Sequence, residues 1–247
     1  MSRSEPHILV VDDEQDICAN LHDILTDFGY RVDTAPNASA ALDMLGEQQY
    51  DIALLDLKMP GISGVELCRR MRDQRLATVG MILTAYATPQ AAEDALQAGA
   101  WTVLSKPIDT RQLMELIDSI LRQPLVLVVD DDRDLCQSMH DLLRDQGYRV
   151  VLAHSRQEAQ RRMTSDGPQV ALIDLKLAED DGLAVFEQIR DLMPDARTIL
   201  ITAHREEMSS RLDEALSKGV SSVCYKPFEP LQLLEIIRRS LTDSKAN

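Results

Sequence analysis

The stretch Asp51-Ile52-Ala53-Leu54-Leu55-Asp56-Leu57-Lys58-Met59-Pro60-Gly61-Ile62-Ser63-Gly64 decides how this chain is read. An apolar run closes on a carboxylate, Asp56, and a Pro/Gly-rich turn follows. Such a run, bounded by polar residues, predicts a strand buried on both faces. Asp56 then stands where a buried parallel strand gives out, the place where open α/β sheets bind their ligands. The pattern returns as Val170-Ala171-Leu172-Ile173-Asp174-Leu175-Lys176 and closes at Gly182. Asp56 and Asp174 are 118 residues apart, and so are Gly64 and Gly182.

Working outward, this repeat divides the 247 residues into two domains, 1–123 and 124–247, each of ordinary domain size. Gln123-Pro124 is the whole linker, because Leu125 already begins the next strand. In the first half, strands are expected at His7–Val11, Tyr30–Ala35, Asp51–Asp56, Val79–Leu83 and Trp101–Ser105. Helical patterns fill the intervals. Ile17, Leu21, Ile24 and Leu25 share one face of the first helix, which stops at Gly29. Ser39 is placed to cap the second. Thr88-Pro89 reads as N-cap and first-turn proline of the fourth. The second half repeats this order and ends in a helix through Leu231, Leu234, Ile237 and Leu241. Strands alternating with helices, five of each per half, predict an α/β fold of two doubly wound parallel sheets in tandem; in the flavodoxin-like strand order 2-1-3-4-5, strands one, three, four and five would converge at a switch-point crevice.

Composition narrows the function. The net charge of −15 repels phosphate backbones, so no direct nucleic-acid partner is expected. Cys18, Cys68, Cys136 and Cys224 show no CxxC spacing and no adjoining His pattern. They read as buried core thiols of a reducing cytosol. No signal peptide and no bilayer-spanning apolar run is seen, so a cytoplasmic protein without a membrane partner is expected.

Five residue types recur at the ends of the expected strands. The first half places Asp12, Asp13, Asp56, Thr84 and Lys106 there; the second places Asp130, Asp131, Asp174, Thr202 and Lys226. From first acid to central acid the spacing is 44 in both halves, and from there to the threonine it is 28. From threonine to lysine it is 22 in the first half and 24 in the second, a difference that a loop absorbs. Three neighbouring carboxylates repel unless a cation joins them. An oxygen-rich, thiol-free set fits Mg²⁺. One carboxylate can then act as a nucleophile toward phosphorus, with metal and lysine neutralising the transferred oxygens.

With these residues in place, both halves resemble the receiver (CheY-like) domains of bacterial two-component response regulators. The resemblance covers nearly the whole chain. It implies that Asp56 and Asp174 are phosphoacceptors. Asp13 and Asp131 would bind Mg²⁺ directly, Asp12 and Asp130 through water, and the backbone carbonyls of Lys58 and Lys176 would complete the protein ligands. Thr84 and Thr202 would be switch hydroxyls, and Lys106 and Lys226 phosphate-binding lysines. The Lys106–Pro107 and Lys226–Pro227 bonds would be cis.

Two departures from the family pattern stand out. Where an aromatic is usual, three residues before the lysine, this chain has Val103 and Val223. Trp101 and Tyr225 lie two residues away, on the same strand face by period-two alternation, and are read as partial substitutes. The loop after the second acceptor, Leu177-Ala178-Glu179-Asp180-Asp181, is acidic where the first has Met59-Pro60-Gly61. Different phosphorylation kinetics are therefore expected of the second domain.

The resemblance implies a tandem-receiver regulator that takes phosphoryl groups from a histidine kinase or a histidine phosphotransfer protein. The expected output is contact with a downstream protein, with the face of helix four, strand five and helix five as the surface for that target or for a homodimer. No enzyme is expected beyond self-phosphorylation from small donors and self-dephosphorylation. The alternatives are a phosphorylation-independent docking scaffold and a receiver fragment of a larger hybrid kinase or regulator. A haloacid-dehalogenase-type phosphohydrolase is disfavoured, because that family wants Asp-x-Asp after its first strand. A nucleotide-binding enzyme is disfavoured by the lack of a P-loop or GxGxxG.

Overall fold

Each apolar run becomes a strand flanked by helices. The computed structural model describes residues 5–74, 76–86, 88–177, 181–203 and 209–242. The chain divides into two compact units, Met1–Arg122 and Gln123–Asn247.

In the first unit the order is β1 (His7–Val11), α1 (Gln15–Asp27), β2 (Arg31–Ala35), α2 (Ala38–Glu47), β3 (Ile52–Asp56), α3 (Gly64–Asp73), β4 (Val79–Thr84), α4 (Pro89–Gln97), β5 (Thr102–Ser105) and α5 (Thr110–Arg122). All pairings are parallel, in the order β2-β1-β3-β4-β5. Parallel strands need crossover helices, and these cover both faces. Cys18, Leu21 and Leu25 of α1 and Leu113, Ile117 and Ile120 of α5 pack on one face, around Ile8, Val10 and Leu54. The other face carries α2, α3 and α4 through Ala41, Leu67 and Ala95, around Leu9, Val11 and Leu55. Strands β1 and β3 are buried along their whole length, which is why their sequences read as unbroken apolar runs.

The second unit repeats the plan with β6 (Leu125–Val129), α6 (Arg133–Asp145), β7 (Arg149–Ala153), α7 (Arg156–Asp166), β8 (Val170–Asp174), α8 (Gly182–Leu192), β9 (Arg197–Thr202), α9 (Ser209–Ser217), β10 (Ser222–Tyr225) and α10 (Pro230–Thr242). Its sheet runs β7-β6-β8-β9-β10, the same 2-1-3-4-5 order. Among the described residues, no helix is long and apolar enough to cross a membrane.

Two local expectations are corrected. Asn37, not Ser39, caps α2: its side chain accepts from Ala40 N, and Ser39 lies inside the helix. Strand β5 begins at Thr102, so period-two alternation does not reach Trp101. The indole packs on the α1/α5 side, whereas Val103 packs on the α2–α4 side. Trp101 is thus no substitute for a ring at position 103. The cap at Thr88, with Pro89 opening α4, is as read. All four cysteines are buried thiols outside any disulfide, and both Lys–Pro bonds are cis.

Candidate functional site

The strand order brings the C-terminal ends of β1, β3, β4 and β5 together, and the side chains meet there. Lys106 Nζ donates to Asp12 Oδ2 at 2.7 Å and to Asp56 Oδ1 at 2.6 Å. Asp12 is 2% exposed, Asp56 8% and Thr84 2%. The remaining carboxylate oxygens are also held. Asp12 Oδ1 accepts from Glu14 N at 2.9 Å, and Asp56 Oδ2 accepts from Lys58 N at 2.7 Å. Thr84 Oγ1 accepts from Tyr86 N at 3.1 Å. Asp13 is exposed and borders a cleft with Pro36, Asn37, Pro60 and Gly61.

Burial alone would lower the Lys106 basicity. The hydrogen bonds Lys106 donates to Asp12 and Asp56 outweigh it and hold the ammonium above its ordinary value. A buried carboxylate pair is tolerable only with such a cation and a full set of hydrogen bonds.

Helix α3 fixes the position of Asp56. A Cβ at Gly64 would overlap the backbone oxygen of Asp56, so only glycine lets the helix start this close to the strand end. Gly182 stands in the same relation to Asp174. This explains why the glycines keep the same 118-residue spacing as the acids.

The second unit rebuilds the cluster. Lys226 Nζ donates to Asp130 Oδ2 and to Asp174 Oδ2, both at 2.9 Å. Asp130 Oδ1 accepts from Asp132 N at 2.9 Å, and Asp174 Oδ1 accepts from Lys176 N at 3.3 Å. Thr202 is 1% exposed at the end of β9. Lys226 is held above its ordinary value by Asp130 and Asp174 against the opposing effect of burial. Asp130 is pushed up by burial, with Lys226 opposing. Asp130, Asp131 and Asp174 each offer one carboxylate oxygen, all within 4.8 Å of one another. An all-oxygen, anionic donor set of this kind suits a hard divalent cation such as Mg²⁺.

Several supports were not read from the sequence. Cys18 Sγ donates to Asp12 O at 3.4 Å, and Cys136 Sγ donates to Asp130 O at 3.3 Å, so each core thiol braces the first acid of its site. Burial, with the nearby Asp12 charge, pushes the Cys18 thiol up, which keeps it a donor. Asp132 caps α6, accepting from Asp134 N and Leu135 N; its place ahead of a helical pattern is a recognisable cap signal. His154 Nδ1 lies 3.0 Å from Asp130 O, where the first unit has Pro36. No motif flags that contact. Of the acidic loop after Asp174, Ala178, Glu179 and Asp180 lie outside the described residues. Asp181 caps α8, and its backbone forms an isolated antiparallel β-bridge with that of Lys176.

Comparison with known proteins shows the family of both units. The model of the response regulator receiver domain matches residues 8–118 and 126–238. The chain belongs to the response regulator receiver family, with two receiver domains in tandem. A response regulator receiver protein of Anaeromyxobacter sp. (strain Fw109-5) is 31% identical over 231 residues, covering 94% of this chain and 93% of that protein. Response regulator ArlR of Staphylococcus aureus (strain Mu50 / ATCC 700699) is 36% identical over 124 residues, covering 50% of this chain and 56% of that protein. A solved CheY-like receiver domain protein from Methanospirillum hungatei JF-1 shares 32% identity at a TM-score of 0.46, over 48% of this chain and 94% of that one.

Proposed function

We propose that this chain is a tandem-receiver phosphoacceptor, divided after Gln123, in which Asp56 and Asp174 take phosphoryl groups from a phosphohistidine. The donor is a histidine kinase or a histidine phosphotransfer protein. The observation that carries the reading is the lysine bridging two buried aspartates at the strand ends, made twice. In each unit a carboxylate oxygen attacks phosphorus. The P–O bond forms as the P–N bond breaks, and the histidine nitrogen leaves with the electron pair and is protonated from solvent. Lys106 and Lys226 stay charged and neutralise the phosphoryl oxygens. Thr84 and Thr202 donate their hydroxyls to the arriving group. Water later attacks phosphorus, the bond to the carboxylate breaks, and phosphate leaves; this self-dephosphorylation is the reset.

Asp12, Asp13, Asp56 and the Lys58 carbonyl would hold Mg²⁺ in the first unit; Asp130, Asp131, Asp174 and the Lys176 carbonyl would hold it in the second. The bound ion supplies charge neutralisation at the transferring oxygens. Phosphorylation biases the β4–α4–β5 region between two states, and the face of α4, β5 and α5 carries the signal to a protein target or a second copy, in the cytoplasm.

The test is intact mass after acetyl phosphate and Mg²⁺, on the wild type, Asp56→Asn and Asp174→Asn. Two phosphoryl additions, each lost with its own variant, are expected. No addition to any of the three would overturn the reading.

A further inference from the structure

The first unit lacks an aromatic where receivers usually carry one. Val103 occupies that position, and Trp101 faces the opposite core. One ring nevertheless stands at the mouth of the site. Tyr86, two residues after Thr84, is 70% exposed. Two tethers hold it, and they are independent of each other. Its backbone N–H donates to Thr84 Oγ1 at 3.1 Å. Its ring lies beneath the Lys58 ammonium, 5.2 Å from the centroid. Lys58 is also the residue whose N–H donates to Asp56 Oδ2 at 2.7 Å. One tether thus ends on the residue that holds Asp56, and the other at the end of β4, the strand paired with β3.

A phosphoryl group on Asp56 would compete for the Lys58 ammonium and pull on the Thr84 hydroxyl. It brings nearly two negative charges and three strong acceptor oxygens. An ammonium resting on an exposed ring is weakly held, whereas an ammonium facing a phosphoryl dianion makes a charge-assisted contact. Thr84 offers one hydroxyl proton. Any movement of that hydroxyl toward phosphorus is passed to Tyr86 through its N–H, which either follows or lets go.

We propose that Tyr86 is the phosphorylation-responsive aromatic of the first unit, released when the phosphoryl group on Asp56 draws Lys58 from its ring and Thr84 from its backbone N–H. This rests on the phosphoacceptor reading of Asp56. The ring then reorients on the surface beside α4, so the state of the acid is displayed at an accessible position. In the second unit the residue two after Thr202 is His204, so no tyrosine stands at that position.

The full chain has five tyrosines, so ring-labelled tyrosine NMR resolves them, with Tyr86 assigned through Tyr86→Phe. Beryllofluoride with Mg²⁺ serves as the phosphoryl mimic, and the part of its bound fluorine signal that Asp56→Asn removes, and Asp174→Asn keeps, reports the Asp56 adduct. The Tyr86 resonance is expected to shift as the adduct forms and to stay fixed in Asp56→Asn. In Lys58→Met it is expected to start displaced, with less than half the remaining shift. An Asp56 adduct with an unmoved Tyr86, or a full shift in Lys58→Met, would overturn the Tyr86 inference alone. Absence of an Asp56 adduct in the wild type would overturn the acceptor reading, and this inference with it.

Discussion

At the C-terminal strand ends the two units are nearly superimposable in chemistry. Lys106 reaches Asp12 and Asp56, Lys226 reaches Asp130 and Asp174, and all four distances fall between 2.6 and 2.9 Å. At the opposite strand ends they diverge. In the first unit His7 Nε2 lies 2.9 Å from Asp33 Oδ2 and Nδ1 lies 3.0 Å from Gln49 O, while Tyr50 donates its hydroxyl to the same Asp33 oxygen at 2.8 Å. In the second unit the matching positions hold Leu125, Val151 and Pro168, all buried. One feature survives. The first strand residue donates its backbone N–H to a side-chain oxygen, from His7 to Asp51 at 2.9 Å and from Leu125 to Gln169 at 2.6 Å. A backbone donor inside the fold has to be satisfied, whereas the packing around it can be solved by a polar network or by aliphatic contact. The acid end has no such latitude, because it must hold like charges together.

The strongest way to break this comparison is at the glycines. Gly64→Ala and Gly182→Ala should each destabilise their own unit by about 3 kcal/mol or more, because the new Cβ meets backbone rather than a yielding side chain. Guanidinium titration by circular dichroism would show it, and the affected transition labels each unit. An unchanged transition in either variant would mean that the helix start and the strand end are not locked together.

The second test uses the end that differs. Burial, helped by the adjoining Asp33, pushes the Tyr50 hydroxyl above its ordinary value of 10.0. The folded chain therefore keeps a proton that the unfolded chain releases, and the stability this gives is present below pH about 10 and lost as pH rises beyond it. Lys106 and Lys226, both raised above 10.5, weaken both units in the same direction. The first unit should lose an additional amount of about 1.4 kcal/mol per pH unit above 10 from Tyr50; Tyr50→Phe should remove that part and leave what Tyr30, also raised by burial, contributes. Equal alkaline losses in the wild-type transitions would refute the contrast.

The smallest effect lies at the caps. Glu14 makes no side-chain cap bond to α1, whereas Asp132 makes two to α6. Glu14→Asp should gain about 0.5–1 kcal/mol in the first unit, and Asp132→Ala should lose about 1 kcal/mol in the second. The same titration reads both, and a loss on Glu14→Asp would show that the longer carboxylate is doing something else there.

Much of this was legible in the sequence because it is written in local patterns. Ile52–Asp56 and Val170–Asp174 are apolar on both faces, so their strands and their terminal acids could be read directly. The repeat then aligned Thr84 with Thr202 and Lys106 with Lys226. What escaped depends on where elements begin and which loops face each other. Ser39 and Asn37 are both good cap residues, and only the backbone turn at Asn37 chooses between them. Counting by twos placed Trp101 beside Val103, but that rule ends where the strand does. The Lys58–Tyr86 contact joins two loops whose approach is set by the sheet, not by either segment alone.

Trp101 has a use that follows from its isolation. It is the single tryptophan of the chain, and its indole is seated against the α1/α5 core of the first unit. Near-ultraviolet excitation at the red edge therefore interrogates one receiver of the pair. An emission trace of the intact molecule is a private optical channel to that receiver, to be set beside any signal that sums the two.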